Sequence, residues 1–496
     1  MSARYVVALD EGSTSARAVL VDLDGEIVAE ARNPVVPLFP RPRWVELDPI
    51  ALWEAQRRSL EEAMSKVGAV TDDLAAIGIT THRETCLVWD RRTGEPVHPA
   101  LMWMSKQTDP VVARWHLDGL DREFRARTGL FNDSFFSAAK LAWIMENVPG
   151  VLERAEAGEL AAGTVDTWLL WQLTGGRAHL TDHSEASRTA LFSLERLTWD
   201  EELCKACGVP PQILAPARAS DAQFGEMRPG DVGLPGSAAV PVTAVMADQQ
   251  AGMFGQACFE EGSAKNTFGT TGVLTANSGE RSKVLHGLTA SVGWTVAGTT
   301  AYEIEGVVFH AGQTLQWMRE RLGVLGPDAD VEQVALSVPD TGGVYVVPAF
   351  AGMSAPYWER DAHASIVGLT LESGAEHVVR AGVEAMAYQT RDNVEVLVAG
   401  GTPVPELKVD GGAARSNLLC QFQADVLGVP VRRPAELERT ALGVAHVAGM
   451  TVGLWKQGDL SDRWVVDRVF EPEMPEARRE ELYAGWQHAV RTVIGR

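Results

Sequence analysis

The feature that most constrains this chain is a turn that occurs twice. Val6 to Asp10 is an apolar run ending on a carboxylate, followed by Glu11-Gly12-Ser13-Thr14-Ser15-Ala16-Arg17 and a second apolar run, Ala18 to Val21. Asp22-Leu23-Asp24-Gly25 signals a tight turn, and Glu26 to Glu30 reads as a third strand, so the segment predicts a β-meander. Asn266-Thr267-Phe268-Gly269-Thr270-Thr271-Gly272, with Val273-Leu274-Thr275 behind it, repeats that layout in the other half. Small residues between short apolar strands present successive backbone N–H groups and hydroxyls, which suits phosphate oxygens. One such turn per half predicts a duplicated architecture.

The intervening segments read as helices and further strands. Asp48-Pro49 opens a helix with an Asp cap and Pro at its first position, running through Met64. Leu74 to Thr80 reads as a strand, and Glu376 to Leu397 and Ser416 to Leu427 as long amphipathic helices. Strands alternating with helices predict α/β layers. At 496 residues the chain has length for two large domains. With no low-complexity linker, the expected division is 1–252 and 253–496, packed together. Leu285 to Tyr302 carries no formal charge but is rich in Gly, Ser and Thr, so it reads as strands and turns rather than a membrane span.

Charge narrows the function classes. Lys and Arg number 44 and Asp and Glu 66, a net −22. That excludes the basic footprint of a nucleic-acid binder and the attraction of an anionic membrane surface. Five scattered cysteines make no disulfide framework and indicate a reducing, cytoplasmic location. Cys204 and Cys207, on a helical pattern, are expected to be buried thiols rather than zinc ligands.

Neither a G-x-x-x-x-G-K-[ST] loop nor a G-x-G-x-x-G fingerprint occurs. Phosphate must be held by other means. Asp10 at a strand end can serve Mg²⁺. Gly12 allows close backbone approach, Ser13, Thr14 and Ser15 offer hydroxyls, and Arg17 adds a bidentate cation. Val409-Asp410-Gly411-Gly412-Ala413-Ala414-Arg415-Ser416 reads as a strand, a glycine turn and a capped helix start, which suits a ligand lying on backbone. Asp248, in Ala247-Asp248-Gln249-Gln250, is by its type either a helix cap or a base.

Taken together these segments resemble the FGGY carbohydrate kinases, of the sugar kinase/actin/hexokinase ATPase fold, and among them the members that phosphorylate glycerol. The resemblance spans nearly the whole chain in order. It includes Phe39 to Pro49, Arg83-Glu84-Thr85, Trp103, Gly163 to Trp168, Glu185 to Thr189, Asp248-Gln249-Gln250, Phe254 to Phe259, Ala264 to Thr267, Pro356-Tyr357-Trp358, Ala387 to Asp392 and Val409 to Gly412. It implies two actin-like (ribonuclease H-like) domains around a central cleft, the first binding the polyol and the second the nucleotide. The implied reaction is ATP-dependent phosphorylation of a primary polyol hydroxyl. By that resemblance Asp248 is the general base and Asp10 helps place Mg²⁺. Ser13, Thr14, Ser15, Arg17 and Thr270 meet the phosphates, and Gly312, Gln316, Gly412 and Ser416 line the nucleotide. Arg83, Glu84, Trp103, Phe135, Asp248, Gln249 and Val273 surround the polyol. A homo-oligomer, dimer or tetramer, is also implied.

The chain departs from the pattern near the substrate. Phe135 stands for the family's Tyr, Val273 for a Phe, Thr81-His82 for Asn-Gln and Met104 for a frequent Gln. On the nucleotide side Thr271 replaces a Gly and Ser416 an Asn. Loss of one neutral hydrogen bond costs roughly 0.5–1.5 kcal/mol, and loss of an aromatic wall roughly 1–3 kcal/mol if the space stays empty. Glycerol is the first substrate expectation, a larger polyol or keto-polyol of the erythritol, threitol or erythrulose type the alternative, and a non-catalytic regulatory member the second alternative.

Overall fold

In the computed structural model, residues 3–495 are described. The first half is built on a six-stranded sheet. Its strands are β1 (Tyr5–Glu11), β2 (Ser15–Asp22), β3 (Ile27–Pro34), β4 (Leu74–Thr81), β5 (Gly225–Met227) and β6 (Val240–Ala247), in the order β3-β2-β1-β4-β6-β5. β1 pairs antiparallel with β2 and β2 with β3, whereas β1, β4 and β6 run parallel. The second half repeats the scheme. β7 (Ala264–Phe268), β8 (Gly272–Gly279), β9 (Thr289–Val296), β10 (Thr299–Val308), β11 (Leu407–Asp410), β12 (Val431–Pro434) and β13 (Val466–Phe470) form the order β9-β10-β8-β7-β11-β12-β13. Again an antiparallel meander joins two parallel strands and an antiparallel edge, with β9 added outside. The duplication expected from the two turns is therefore present in strand order and direction.

The central strands read as continuous apolar runs because both faces are covered. Alternation along β1 splits its residues between two cores. Val7 and Leu9 face α1 (Pro49–Lys66) with Leu52, Leu60 and Met64, while Val6 and Ala8 face Phe254, Val444 and Ala445. As expected, Asp48 caps α1, accepting from the Ile50 and Ala51 amides at 2.9 and 3.3 Å.

That second core joins the halves. It holds α2 (Asp248–Gly255) and, from far along the chain, a helix over Arg439–Thr451. In chain order the other helices used below are α3 (Gly312–Trp317), α4 (Ala375–Ala399) and α5 (Asn417–Leu427), so Arg439–Thr451 is α6. α2 and α6 cross at bare backbone: a Cβ on Gly255 would lie 2.0 Å from the Arg439 carbonyl, and one on Gly443 2.0 Å from that of Ala251. α6 also covers β1, β4 and β6. The sequence's second half thus packs directly onto the first half's sheet.

A smaller sheet of Glu46–Leu47, Cys86–Asp90, Ala100–Leu101 and Leu160–Thr164, with the helices around it, makes an outer body of the first half that carries Trp103 and Phe135. Cys204 and Cys207 lie buried in its core, and burial pushes the Cys204 thiol up to about 12. The segment at Leu285 to Tyr302 folds into β9 and the start of β10. Among the described residues no helix is long and apolar enough to cross a membrane.

Candidate active site

The parallel strands β1, β4 and β6 end together at the cleft, the position where open α/β sheets bind ligands. β1 ends on Asp10-Glu11, β4 is followed by Arg83 and Glu84, and β6 runs straight into Asp248 at the first turn of α2. β8 and β10 face them from the other half. Between them lies a cavity of about 100 Å³ lined by Ser13, His82, Arg83, Glu84, Trp103, Phe135, Asp248, Gln249, Thr271, Val273 and Val307. All seven residues expected around the polyol meet at this one space. Its size suits a small polyol rather than a drug-sized ligand.

Each wall has a physical origin. Trp103 is held by its indole N–H, which donates to the Ser13 hydroxyl at 2.8 Å, and by edge-on packing with Phe135 at 5.6 Å between ring centres. Phe135 rests on Phe136 and Phe309, so its ring is fixed without a hydroxyl. Val273 and Val307 are cross-strand partners on β8 and β10 and form an apolar side. Glu84 adopts φ +65, a left-handed conformation uncommon for a non-glycine residue and characteristic of constrained functional positions.

Behind the cavity the polar groups form a buried ionic ladder. Arg83 donates to Glu305 at 2.5 Å, with Nε 3.4 Å from Asp248 Oδ1. Arg188 Nε donates to Glu84 Oε1 at 2.7 Å, while its Nη2 lies 2.8 Å from Glu305. Glu303 accepts from Gln250 at 2.7 Å and Ser291 at 2.8 Å. Burial, then the neighbouring Glu305, pushes Glu303 up to about 7. Burial also pushes Glu305 up, but Arg188 and Arg83 together outweigh it and hold that carboxyl below its usual range. Glu84 remains raised, by burial, against the pull of Arg188 and Arg83. Gln249 is oriented by Lys265, whose ammonium donates to its Oε1 at 2.6 Å and to Thr267 at 2.7 Å.

On the phosphate side, the structure engages several expected residues with protein partners. Arg17 is buried between Asp10, at 2.6 Å, and Glu438, so its guanidinium bridges the two halves. Asp10 is pushed up by burial, and further by Asp248 and Glu438, with Arg17 opposing. Ser13 stands at the cavity described above and accepts from Trp103, while Thr14 is exposed and Ser15 begins β2. Thr270 lies in the second turn, and its carbonyl accepts from the Ala311 and Gln313 amides at 3.1 and 3.2 Å. Gly312 opens α3 beneath that turn, where a Cβ would sit 2.7 Å from the Gly269 carbonyl. Gln316 is exposed and donates to Glu320 within its own segment. Gly412 faces open space, and Ser416 caps α5 through the Leu419 amide at 3.2 Å.

Some lining residues escape the sequence reading. His82 and Thr271, noted there only as departures, line the same cavity, and His82 Nδ1 meets the Glu11 carbonyl at 3.1 Å. Burial lowers the His82 pKa. Glu303, Glu305 and Val307 share one face of β10 by strict alternation, a pattern visible in Glu303-Ile304-Glu305-Gly306-Val307. Two acids at i and i+2 in an otherwise apolar strand are the signal that could have located them.

Comparisons with known proteins agree with this geometry. The FGGY family of carbohydrate kinases, N-terminal domain, matches residues 5–255, and its C-terminal domain matches residues 264–452. A glycerol kinase of Symbiobacterium thermophilum is 46% identical over 498 residues, covering 100% of this chain and 99% of that one. A glycerol kinase of Halorhodospira halophila is 47% identical, covering 99% and 97%. The crystal structure of Plasmodium falciparum glycerol kinase with ADP superposes with a TM-score of 0.91 at 29% identity, over 99% of this chain and 98% of that one. A ligand-bound xylulose kinase of Lactobacillus acidophilus shares the fold with a TM-score of 0.89 at 19% identity, over 100% of this chain and 99% of that one. With its duplicated sheets, the cavity between their strand ends and both family domains in order, the chain belongs to the FGGY family of carbohydrate kinases.

Proposed function

We propose that this kinase transfers the γ-phosphoryl group of ATP to a primary hydroxyl of glycerol, giving ADP and glycerol 3-phosphate. The observation that carries the reading is the convergence of Arg83, Glu84, Trp103, Asp248 and Gln249 on one cavity of about 100 Å³ facing the second phosphate turn. Full-length relatives named glycerol kinase support the same substrate.

Phosphoryl transfer asks mainly for positioning and charge neutralisation. Arg83 donates to, and Glu84 accepts from, neighbouring hydroxyls, while Trp103 covers the carbon chain. Asp248 is the group that accepts the proton of the attacking hydroxyl. Its place in the first turn of α2 fixes its backbone, and the Arg83 Nε at 3.4 Å keeps its carboxyl group oriented. Oxygen donors such as Asp10, held in a buried and acidic corner, fit Mg²⁺, which keeps waters and phosphate oxygens among its ligands. When bound it supplies charge neutralisation to the phosphates.

Five free, buried thiols fit a reducing cytoplasmic setting. The homo-oligomer implied by the family resemblance is read out by light scattering. Measuring ADP release over glycerol, dihydroxyacetone, erythritol, threitol and pentitols tests the substrate. Glycerol is expected to give the highest kcat/KM. A faster four-carbon polyol would transfer the assignment to the larger substrate that Phe135 and Val273 could admit, and ATP turnover accelerated by no polyol would sink the reading.

A further inference from the structure

Phe135 lines the cavity at the cleft with a ring that carries no polar group, so packing and its own backbone alone decide where it stands. The packing comes from Trp103, Phe136 and Phe309 at 5.6, 5.2 and 6.4 Å between ring centres, and Phe309 belongs to the other half. The backbone is gripped by a group that the mechanism does not use. Lys140, fully buried in the first turn of the helix Ser137–Asn147, turns its ammonium back past the start of that helix. Its Nζ donates to the carbonyls of Ser134, Phe135 and Phe136 at 2.8, 2.6 and 3.2 Å.

Arg17, Arg83 and Arg188 each hold a carboxylate. Lys140 instead places its three donors on three successive carbonyls, while Glu84 and Asp133 act on it only through space. A buried ammonium without a bonded counter-ion is costly, and at a helix N-terminus it also meets the positive end of the dipole. An apolar side chain of similar length would avoid both costs. Stability of the helix therefore does not account for the charge, whereas ordering of the segment before it does. Burial lowers the Lys140 pKa to about 8, so at pH 7 the group still carries all three donors. From the other side, Asp133 Oδ1 accepts from the Phe135 amide at 2.9 Å, and its Oδ2 accepts from Arg360 of the other half at 2.6 Å. Ser137 Oγ, in the same turn as Lys140, donates to the Glu84 carbonyl at 3.0 Å. One helical turn thus fixes the backbone behind two walls of the cavity.

We propose that Lys140 and Asp133 are positioning residues for polyol binding: clamped at its carbonyls and its amide, the Phe135 segment holds the ring against Trp103 and so sets how closely the cavity fits the carbon chain. The inference rests on the polyol reading above and deepens it. Neither residue lines the cavity, so each acts through Phe135.

The test is steady-state kinetics of the full-length protein and its K140M, D133A and F135A variants, with the polyol that the wild type turns over fastest, beside thermal unfolding of each. K140M leaves three carbonyls unbonded and is expected to melt below wild type. Its polyol KM should rise at least threefold with the ATP KM within twofold, and D133A should do the same. Because both act through the Phe135 ring, neither should raise the polyol KM of F135A by more than twofold. A general loosening of the fold would instead move both KM values and multiply with F135A. The inference is overturned if the polyol KM of K140M rises less than threefold, if its ATP KM rises in step, or if the two effects multiply in K140M/F135A. Should K140M show no cooperative unfolding, D133A and D133A/F135A are read by the same criteria. A wild type that no polyol stimulates sinks the function proposed above, whereas a stimulated wild type with these KM values unmoved sinks this inference alone.

Discussion

At the scale of single residues, catalysis and positioning separate. Asp248→Asn keeps size and shape but removes the proposed proton acceptor, so kcat should fall by roughly 10²–10⁴ while Tm stays near wild type. Single-turnover assays with calorimetric glycerol binding check both halves of that statement. Arg188 is not among the residues that line the cavity but bonds Glu84 and pairs with Glu305, which in turn holds Arg83. Arg188→Lys preserves the charge but loses the planar fork. The expected outcome is a polyol KM raised about tenfold or more, the loss of one charge-assisted hydrogen bond of roughly 1.5–3 kcal/mol, with the ATP KM unchanged. A packing defect alone would move both constants or neither. Asp248, Arg83 and Glu84 entered the sequence reading through the family resemblance, which rests on short motifs that are local in the chain. Arg188 and Glu305 did not, because their role exists only where segments more than a hundred residues apart meet. Arg17 shows the same limit: a guanidinium beside a phosphate turn reads as a phosphate ligand, and the Glu438 that engages it comes from 421 residues away.

At the scale of elements, glycines do two different jobs that sequence alone does not distinguish. Gly443 stands where α6 crosses α2, and an added Cβ would meet the Ala251 carbonyl at 2.0 Å. Neither backbone can yield without separating the helices that join the halves. Gly443→Ala should therefore lower stability by about 1–3 kcal/mol, seen as a lower denaturation midpoint. Gly412 has nothing within 4 Å of its would-be Cβ, and it follows the β11 strand end beside the cleft. Gly412→Val should leave the unfolding midpoint unchanged and, if the proposed nucleotide site lies in the open space there, raise the KM for ATP several-fold. Steady-state kinetics against a denaturation curve separates the two. The meander turns, the Asp48 cap and the long helices were readable from local pattern. The crossing of α2 and α6 was not, since small residues at Gly252, Gly255, Gly443 and Gly449 permit close approach without naming a partner.

At the scale of the whole molecule, charge and buried acids push stability in one direction with pH. The net charge of −22 makes the folded state repel itself at neutral pH. Asp182, Glu384 and Asp392 are buried, and burial raises each carboxyl to about 7. These groups hold protons in the folded chain that the unfolded chain has released above about pH 4. Unfolding between roughly pH 4 and 7 therefore releases protons, so stability is greatest at the acidic end of that window and is lost as pH rises through the folded values. Carboxylates with lowered values, such as Asp73 beside Arg4 and Asp90 under its turn amides, act in the opposite sense but only once pH falls below the usual carboxylate range. The two tendencies place maximal stability at the acidic end of that window, with Tm at pH 5.5 above that at pH 8. Glu384, whose carboxyl accepts from Arg380 at 2.9 Å, offers an internal control. Glu384→Gln cannot ionise, so its Tm should fall less steeply between pH 5.5 and 8 than that of wild type. A parallel pair of curves would mean that surface repulsion, which added salt screens, accounts for the whole slope; a slope that persists in 0.5 M salt and flattens in the variant assigns it to the buried acids.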